Sequence, residues 1–204
     1  IDVWSLPTVQ LSAHAGYPGV KGRRTAPGEV SALGEGLAAH GALATADGLM
    51  TGYLGSEATG QAVLDILTAV RKARPDAPYL CDPVLGDDGP GLYLPEALGT
   101  LYRSRFLPMA DIATPNRFEL GWLTRQPVGT LPEMLAAARR LCGMGPRSVF
   151  VTSVTAPPER LGILAVTGEG AWLATCPKLS HRAAGAGDMA AALLMAHRLR
   201  GTPD

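Results

Sequence analysis

The sequence predicts an α/β protein: a three-layer α/β/α arrangement around a central, mostly parallel sheet. Two observations carry this. Short apolar runs of strand length alternate with stretches of helical period along the whole chain, and that alternation builds parallel sheets with helices on both faces. The 204 residues, 47% apolar and 18% charged, are enough for one sizeable core and too few for two ordinary domains.

The elements follow in order. Residues 3–6 form a short apolar run. Residues 27–39 have helical spacing through Val30, Leu33 and Leu37. Residues 49–51 make a brief strand ending at Gly52. Over 60–74, Val63, Ile66, Leu67 and Val70 share one helical face, and Pro75 stops it. Residues 79–81 make a strand that ends on Asp82-Pro83. A helix is expected over 95–102, and a strand over 111–113 ending on Thr114-Pro115. Helices are expected over 117–123 and 132–142, and a strand over 149–152 that runs into Ser153. Residues 161–166 and 171–175 read as an antiparallel pair turning on Gly168-Glu169-Gly170. An Ala/Leu-rich helix over 189–200 opens at Gly185-Ala186-Gly187-Asp188 and stops at Gly201.

Composition excludes several classes. The net charge is zero and no Lys/Arg run stands out, so nucleic acid is not an expected partner. No apolar run reaches the roughly 18 residues of a membrane span, and no basic leader opens the chain; a cytoplasmic location follows as the expectation. Cys81, Cys142 and Cys176 are odd in number and form no CxxC pair or zinc pattern, which reads as three reduced thiols. There is no GxxxxGK[ST], and no GxGxxG follows the first strand.

In a sheet of this kind the ligand lies beyond the carboxyl ends of the strands. Three segments there carry chemistry. Gly185-Ala186-Gly187-Asp188 opens a long helix, where free N–H groups and the positive dipole end favour an anion. Asp188 at that spot suits a general base taking a proton from an attacking hydroxyl, and it equally suits an ordinary helix N-cap. Asp82, abutting its strand, has the placement of a carboxylate that holds Mg²⁺ directly or through water, while Asp88 reads as a solvated turn residue. Asn116 and Glu119 have the spacing of a capping box, which leaves cation or water binding by Glu119 open.

Together these segments resemble the pyridoxal kinase family of the ribokinase-like superfamily. The match rests on Val3-Trp4, Thr8-Val9-Gln10-Leu11-Ser12-Ala13-His14, Thr51-Gly52-Tyr53-Leu54-Gly55 and Cys81-Asp82-Pro83-Val84-Leu85-Gly86-Asp87. It continues through Ala110-Asp111-Ile112-Ala113-Thr114-Pro115-Asn116 with Glu119, Gly145-Pro146, Val151-Thr152-Ser153 and the GAGD segment, in the family's order across nearly the whole chain.

The resemblance implies a single ribokinase-like kinase domain over residues 1–204 that moves the γ-phosphate of ATP to the 5′-hydroxymethyl group of pyridoxal, and of pyridoxine and pyridoxamine, in vitamin B6 salvage. It implies Asp188 as catalytic base and Gly185, Ala186 and Gly187 as the anion hole. Val9, Ser12, Ala15 and Gly16 would lie in the loop that closes over the substrate, and Tyr53 against the pyridine ring. Asp82, Thr114, Asn116 and Glu119 would form the nucleotide, Mg²⁺ and monovalent-cation (K⁺ or Na⁺) group, with Asp82 and Glu119 on the metal. Thr152, Ser153 and Lys178 would line the ATP phosphates. A homodimer is implied.

Departures from the pattern are Leu11 in place of an aromatic residue, Ala13 in place of Asn, Ala15 in place of Thr and Ala186 in place of Thr or Val. The family also carries a strand and helix, with a substrate-binding Ser, ahead of the position of Ile1, and helices beyond that of Asp204. Without that first strand, an unpaired gap at the centre of the sheet is expected. Two other readings remain open at this point. Hydroxymethylpyrimidine kinases share the fold but typically show Cys where Asp188 stands. A non-catalytic vitamin B6-binding homologue would account for the three loop substitutions.

Overall fold

The computed structural model describes residues 1–156, 159–180 and 184–201. The elements run β1 (Val9–Leu11), β2 (Gly22–Arg24), α1 (Pro27–Ala39), α2 (Ala42–Thr45), β3 (Leu49–Thr51), α3 (Glu57–Ala73), β4 (Tyr79–Cys81), β5 (Gly86–Asp87), β6 (Gly91–Leu92) and α4 (Glu96–Leu101). They continue through β7 (Ile112–Ala113), α5 (Arg117–Thr124), α6 (Leu131–Cys142), β8 (Ser148–Ala156), β9 (Arg160–Val166), β10 (Ala171–Pro177) and α7 (Ala186–Leu199).

Six strands form one sheet in the order β10-β9-β8-β7-β4-β3. The pairings β3/β4, β4/β7 and β7/β8 are parallel, and β8/β9 and β9/β10 are antiparallel. This is the mixed, mostly parallel sheet the alternation predicts. The ladder runs unbroken from β3 to β10, so the expected gap at the centre of the sheet is not there and the two edges are β3 and β10.

Local chemistry sets the helix limits. The Ser56 side chain caps α3 by accepting from Thr59 N–H. Reciprocal capping boxes start α5 (Asn116/Glu119) and α6 (Thr130/Glu133), each satisfying two otherwise orphan backbone donors. Along the strands the side chains alternate between faces. Tyr79, Cys81, Ala113, Val149 and Val151 pack with Leu64, Leu67, Leu120, Leu123 and Leu141 of α3, α5 and α6. Leu80, Ile112 and Phe150 point the other way, onto Ala191 and Met195 of α7.

Several expectations are corrected. Residues 3–6 form no strand: Val3 and Trp4 are exposed and flank an open groove against Leu33 and Leu37 of α1. An apolar run makes a strand only where it lies along a strand edge, and residues 3–6 lie against α1 instead. The helix expected over 95–102 continues past α4 as a π-helical turn (Tyr102–Phe106) and a 3₁₀ turn (Leu107–Met109), because Tyr102, Phe106 and Leu107 are all drawn fully into the core. β8 runs beyond Thr152, past a bulge where Ser153 takes a left-handed backbone (φ 59°). The hairpins β1–β2 and β5–β6 replace what reads in the sequence as loop.

Candidate active site

β3, β4, β7 and β8 are parallel, so their carboxyl ends share one edge of the sheet. The hydrogen-bond ladder continues beyond the strands there: Asp82 N donates to Thr51 O (2.9 Å), Thr114 N to Cys81 O (3.1 Å) and Thr152 N to Pro115 O (2.9 Å). Asp82, Thr114 and Thr152 are therefore fixed by backbone pairing where the sequence places them.

Asp82 is only 8% exposed. Thr114 Oγ1 donates to its Oδ1 at 2.8 Å, and its other oxygen accepts no hydrogen bond among the described residues. Burial pushes its carboxyl up to about 6, against the Thr114 hydrogen bond that lowers it, and the charge of Asp188 raises it further. Asp188, 106 positions further along the chain, thus lies near enough for its charge to act on Asp82.

Glu119 is more deeply placed, at 4% exposure. Its Oε1 accepts from Leu85 N (2.8 Å) and more weakly from Gly86 N (3.4 Å), and its Oε2 from Asn116 N (2.9 Å). Burial raises its carboxyl to about 8 in spite of these backbone donors. Asn116 adds a hydrogen bond from Nδ2 to Gly86 O (2.7 Å), and Arg117 grips Asp88 through Nε and Nη2. Successive residues at the start of α5 thus hold the β5–β6 hairpin. Asp88, read from the sequence as a solvated turn, is an ion-pair partner in this grip.

Gly185 stands at the N-cap of α7 with a left-handed backbone (φ 84°) that glycine adopts without strain. The N–H groups of the following turn have no intrahelical acceptors. Asp188 lies in that first turn, exposed, with Oδ2 3.6 Å from where a Cβ on Gly185 would sit. His14 Cδ2 lies 4.0 Å from the same point. His14 Nδ1 accepts from Gly16 N at 3.0 Å, shaping the exposed loop that carries Ser12, Ala15 and Gly16. This loop therefore meets the GAGD turn directly. His14 was visible in the sequence only as part of the loop, because its contact with Gly185 crosses 171 positions.

Val9 is half-buried in β1, and Ser12 Oγ accepts from Lys21 N (3.0 Å). Thr8 Oγ1 donates to the carbonyl of Tyr53 (2.5 Å), tying the β1–β2 hairpin to the half-buried Tyr53. Thr152 pairs with Asn116 in an isolated parallel bridge, and the exposed Ser153 occupies the bulge beside it. Lys178 is exposed just beyond the carboxyl end of β10, its N–H bonded to Glu159 O. β10 runs parallel to β8 through the two antiparallel pairings, so Lys178 lies at the same edge of the sheet as the other groups.

The sequence profile of the phosphomethylpyrimidine kinase family matches residues 31–203. The pyridoxal kinase PdxY of Deinococcus radiodurans is 44% identical over 208 residues, covering 98% of this chain and 70% of that protein. The one from Rubrobacter xylanophilus is 40% identical over 205 residues, with 98% and 71% covered. The chain belongs to this family, among its pyridoxal kinases. The structure of pyridoxal kinase from Leishmania donovani in complex with ADP and pyridoxamine superposes with a TM-score of 0.83 at 35% identity, covering 93% of this chain and 68% of that one. The complex of the same enzyme with ADP and pyridoxine gives 0.84. This pyridoxal kinase chain thus spans about 70% of the length of the relatives it matches, with the ribokinase-like fold throughout.

Proposed function

We propose that the groups gathered at the carboxyl edge of the sheet transfer the γ-phosphate of ATP to the 5′-hydroxymethyl group of pyridoxal. One observation carries the assignment of roles: Asp188, at the mouth of a helix N-terminus, is electrostatically coupled to the buried Asp82 and adjoins the loop of His14. A base, an anion site and a cation-seeking carboxylate are then in one place. The relatives are pyridoxal kinases, one solved with ADP and B6 vitamers, which supports both substrates.

Asp188 accepts the proton of the 5′-hydroxyl as its oxygen attacks phosphorus. The N–H groups of Ala186, Gly187 and Asp188, with the dipole of α7, stabilise charge on the moving phosphoryl group, and Gly185 lets the chain turn into that geometry. Tyr53 packs on the pyridine ring, and the loop of Val9, Ser12, Ala15 and Gly16 closes the site against water. Thr152, Ser153 and Lys178 line the ATP phosphates.

Asp82 fits Mg²⁺: a buried carboxylate with one uncommitted oxygen beside a second carboxylate is poorly compensated without a cation. Mg²⁺ bound there supplies charge neutralisation on the β- and γ-phosphates. Glu119, whose oxygens accept three N–H groups, would support a cation at Asp82 by anchoring the Leu85–Gly86 loop that follows it. With Asp82 and Thr114 it belongs to the group that the family resemblance assigns to the nucleotide, Mg²⁺ and a monovalent cation, K⁺ or Na⁺, with Asn116 beside them on the nucleotide. No helix among the described residues is long and apolar enough to cross a membrane; a cytoplasmic, homodimeric enzyme completes the proposal.

The test is ATP-dependent formation of pyridoxal 5′-phosphate, followed by absorbance, in the chain and in Asp188→Asn. Loss of a general base lowers kcat by roughly 10²–10⁴-fold with little change in KM. A variant with unchanged kcat removes Asp188 from the role.

A further inference from the structure

Strand periodicity places Arg23 and Arg24 on opposite faces of β2, and the two have different fates. Arg23 is paired with Glu29, Nη1 to Oε2 at 3.1 Å. Arg24 is exposed and has no acidic partner among the described residues. It faces Val9 directly across the β1–β2 ladder, so the two side chains share a face.

Its position is fixed by a second contact. A Cβ on the buried Gly55 would lie 3.6 Å from Cε1 of Tyr53 and 3.9 Å from Cδ of Arg24. The stem of Arg24 and the Tyr53 ring thus flank one glycine, which sets the Arg24 side chain next to the surface assigned above to the pyridine ring. The clamp from Thr8 Oγ1 to the Tyr53 carbonyl holds the hairpin to that ring.

We infer that Arg24 is a specificity-determining residue that hydrogen-bonds the 3-oxyanion of the pyridine ring of the substrate. This rests on the proposed pyridoxal site and adds to it. A guanidinium offers only donors, and its strongest partners are charged oxygens. With the 5′-hydroxymethyl group at Asp188, the remaining oxygens of pyridoxal are the 4-formyl and the 3-oxygen. The 3-oxygen is the one that carries negative charge at neutral pH, because the electron-poor ring makes its hydroxyl acidic. An Arg held by its stem on Gly55 and left without a counter-charge is set up for that oxygen.

The experiment measures phosphorylation of pyridoxal and of an analogue lacking the 3-hydroxyl by the full chain, by Arg24→Leu and by Arg24→Lys, with direct binding titrations of both compounds. A charged hydrogen bond is worth enough that Arg24→Leu raises KM for pyridoxal about ten- to a hundredfold, leaves kcat within about threefold and does not change KM for the analogue. Arg24→Lys recovers part of the loss. Equal changes for the two compounds, or none for pyridoxal, overturn the inference. If the unaltered chain phosphorylates neither compound, the phosphoryl-transfer reading falls, and the titrations still decide: weaker pyridoxal binding in Arg24→Leu alone supports the contact, and unchanged binding overturns it.

Discussion

The two faces of the central sheet differ in depth. On one, α3, α5 and α6 bury Tyr79, Cys81, Val149 and Val151 in a continuous core that also takes in Tyr102 and Phe106. On the other, the described residues form a small cluster of Leu80, Ile112 and Phe150 under α7, whose Met189 and Leu193 remain exposed. The first face holds the sheet together. The second carries the helix whose first turn bears Asp188. Local stability in a fold is uneven, and functional elements come from its less stable part; here the division falls between two sides of the same strands.

Truncation tests the comparison most strongly. Leu67→Ala, in the deep core, is expected to cost about 4 kcal/mol, and Met195→Ala under α7 about 2 kcal/mol, towards the two ends of the range for such changes. Denaturant unfolding of both variants measures the gap, and equal losses would break the contrast. Met195→Ala should also lower kcat, since it loosens the helix carrying Asp188, while Leu67→Ala leaves kcat of the folded fraction unchanged.

A second test uses pH. Burial holds the carboxyls of Asp82 and Glu119 up, at about 6 and about 8. Both bind protons more tightly folded than unfolded, so their contribution favours the fold at low pH and is lost as pH rises through those values. The melting temperature without Mg²⁺ should therefore fall between pH 5 and 8 by an amount that Asp82→Asn reduces; a flat profile would place neither acid in a dry site. Added Mg²⁺ should shrink the fall in the unaltered chain and leave Asp82→Asn unaffected.

The smallest effect sharpens the picture at the rim. Arg117–Asp88 is a half-exposed pair, so Arg117→Ala should cost under about 1 kcal/mol. Gly86→Ala is different. A Cβ there would meet Gly91 O at 2.4 Å and the Phe118 ring at 2.5 Å, so the β5–β6 hairpin must move away from α5. Thermal melts should rank Gly86→Ala well below Arg117→Ala.

What the sequence reveals follows from the range of the forces involved. α3, α6 and β4 are legible because their apolar period and caps are local, and α7 because its Gly-rich start is. The order of the motifs is enough to gather Asp82, Thr114 and Asp188. The hairpins β1–β2 and β5–β6 escape notice because they are short and held by partners far along the chain: Thr8 by Tyr53, Asp88 by Arg117. Glu119 is legible as a capping residue, but its hold on Leu85 and Gly86 is not, since backbone donors have no sequence signature. Residues 3–6 mislead for the converse reason: their composition suits a strand, and pairing is decided elsewhere.

The strand order β3-β4-β7-β8-β9-β10 climbs steadily in chain order. Each strand added to the sheet finds its partner already in place, so loop-closure entropy is met in modest steps. α7 docks onto a surface made by β4, β7 and β8 and so waits for all three. During refolding, recovery of kinase activity should trail recovery of the far-ultraviolet signal of the sheet, making turnover a clock for the final docking step.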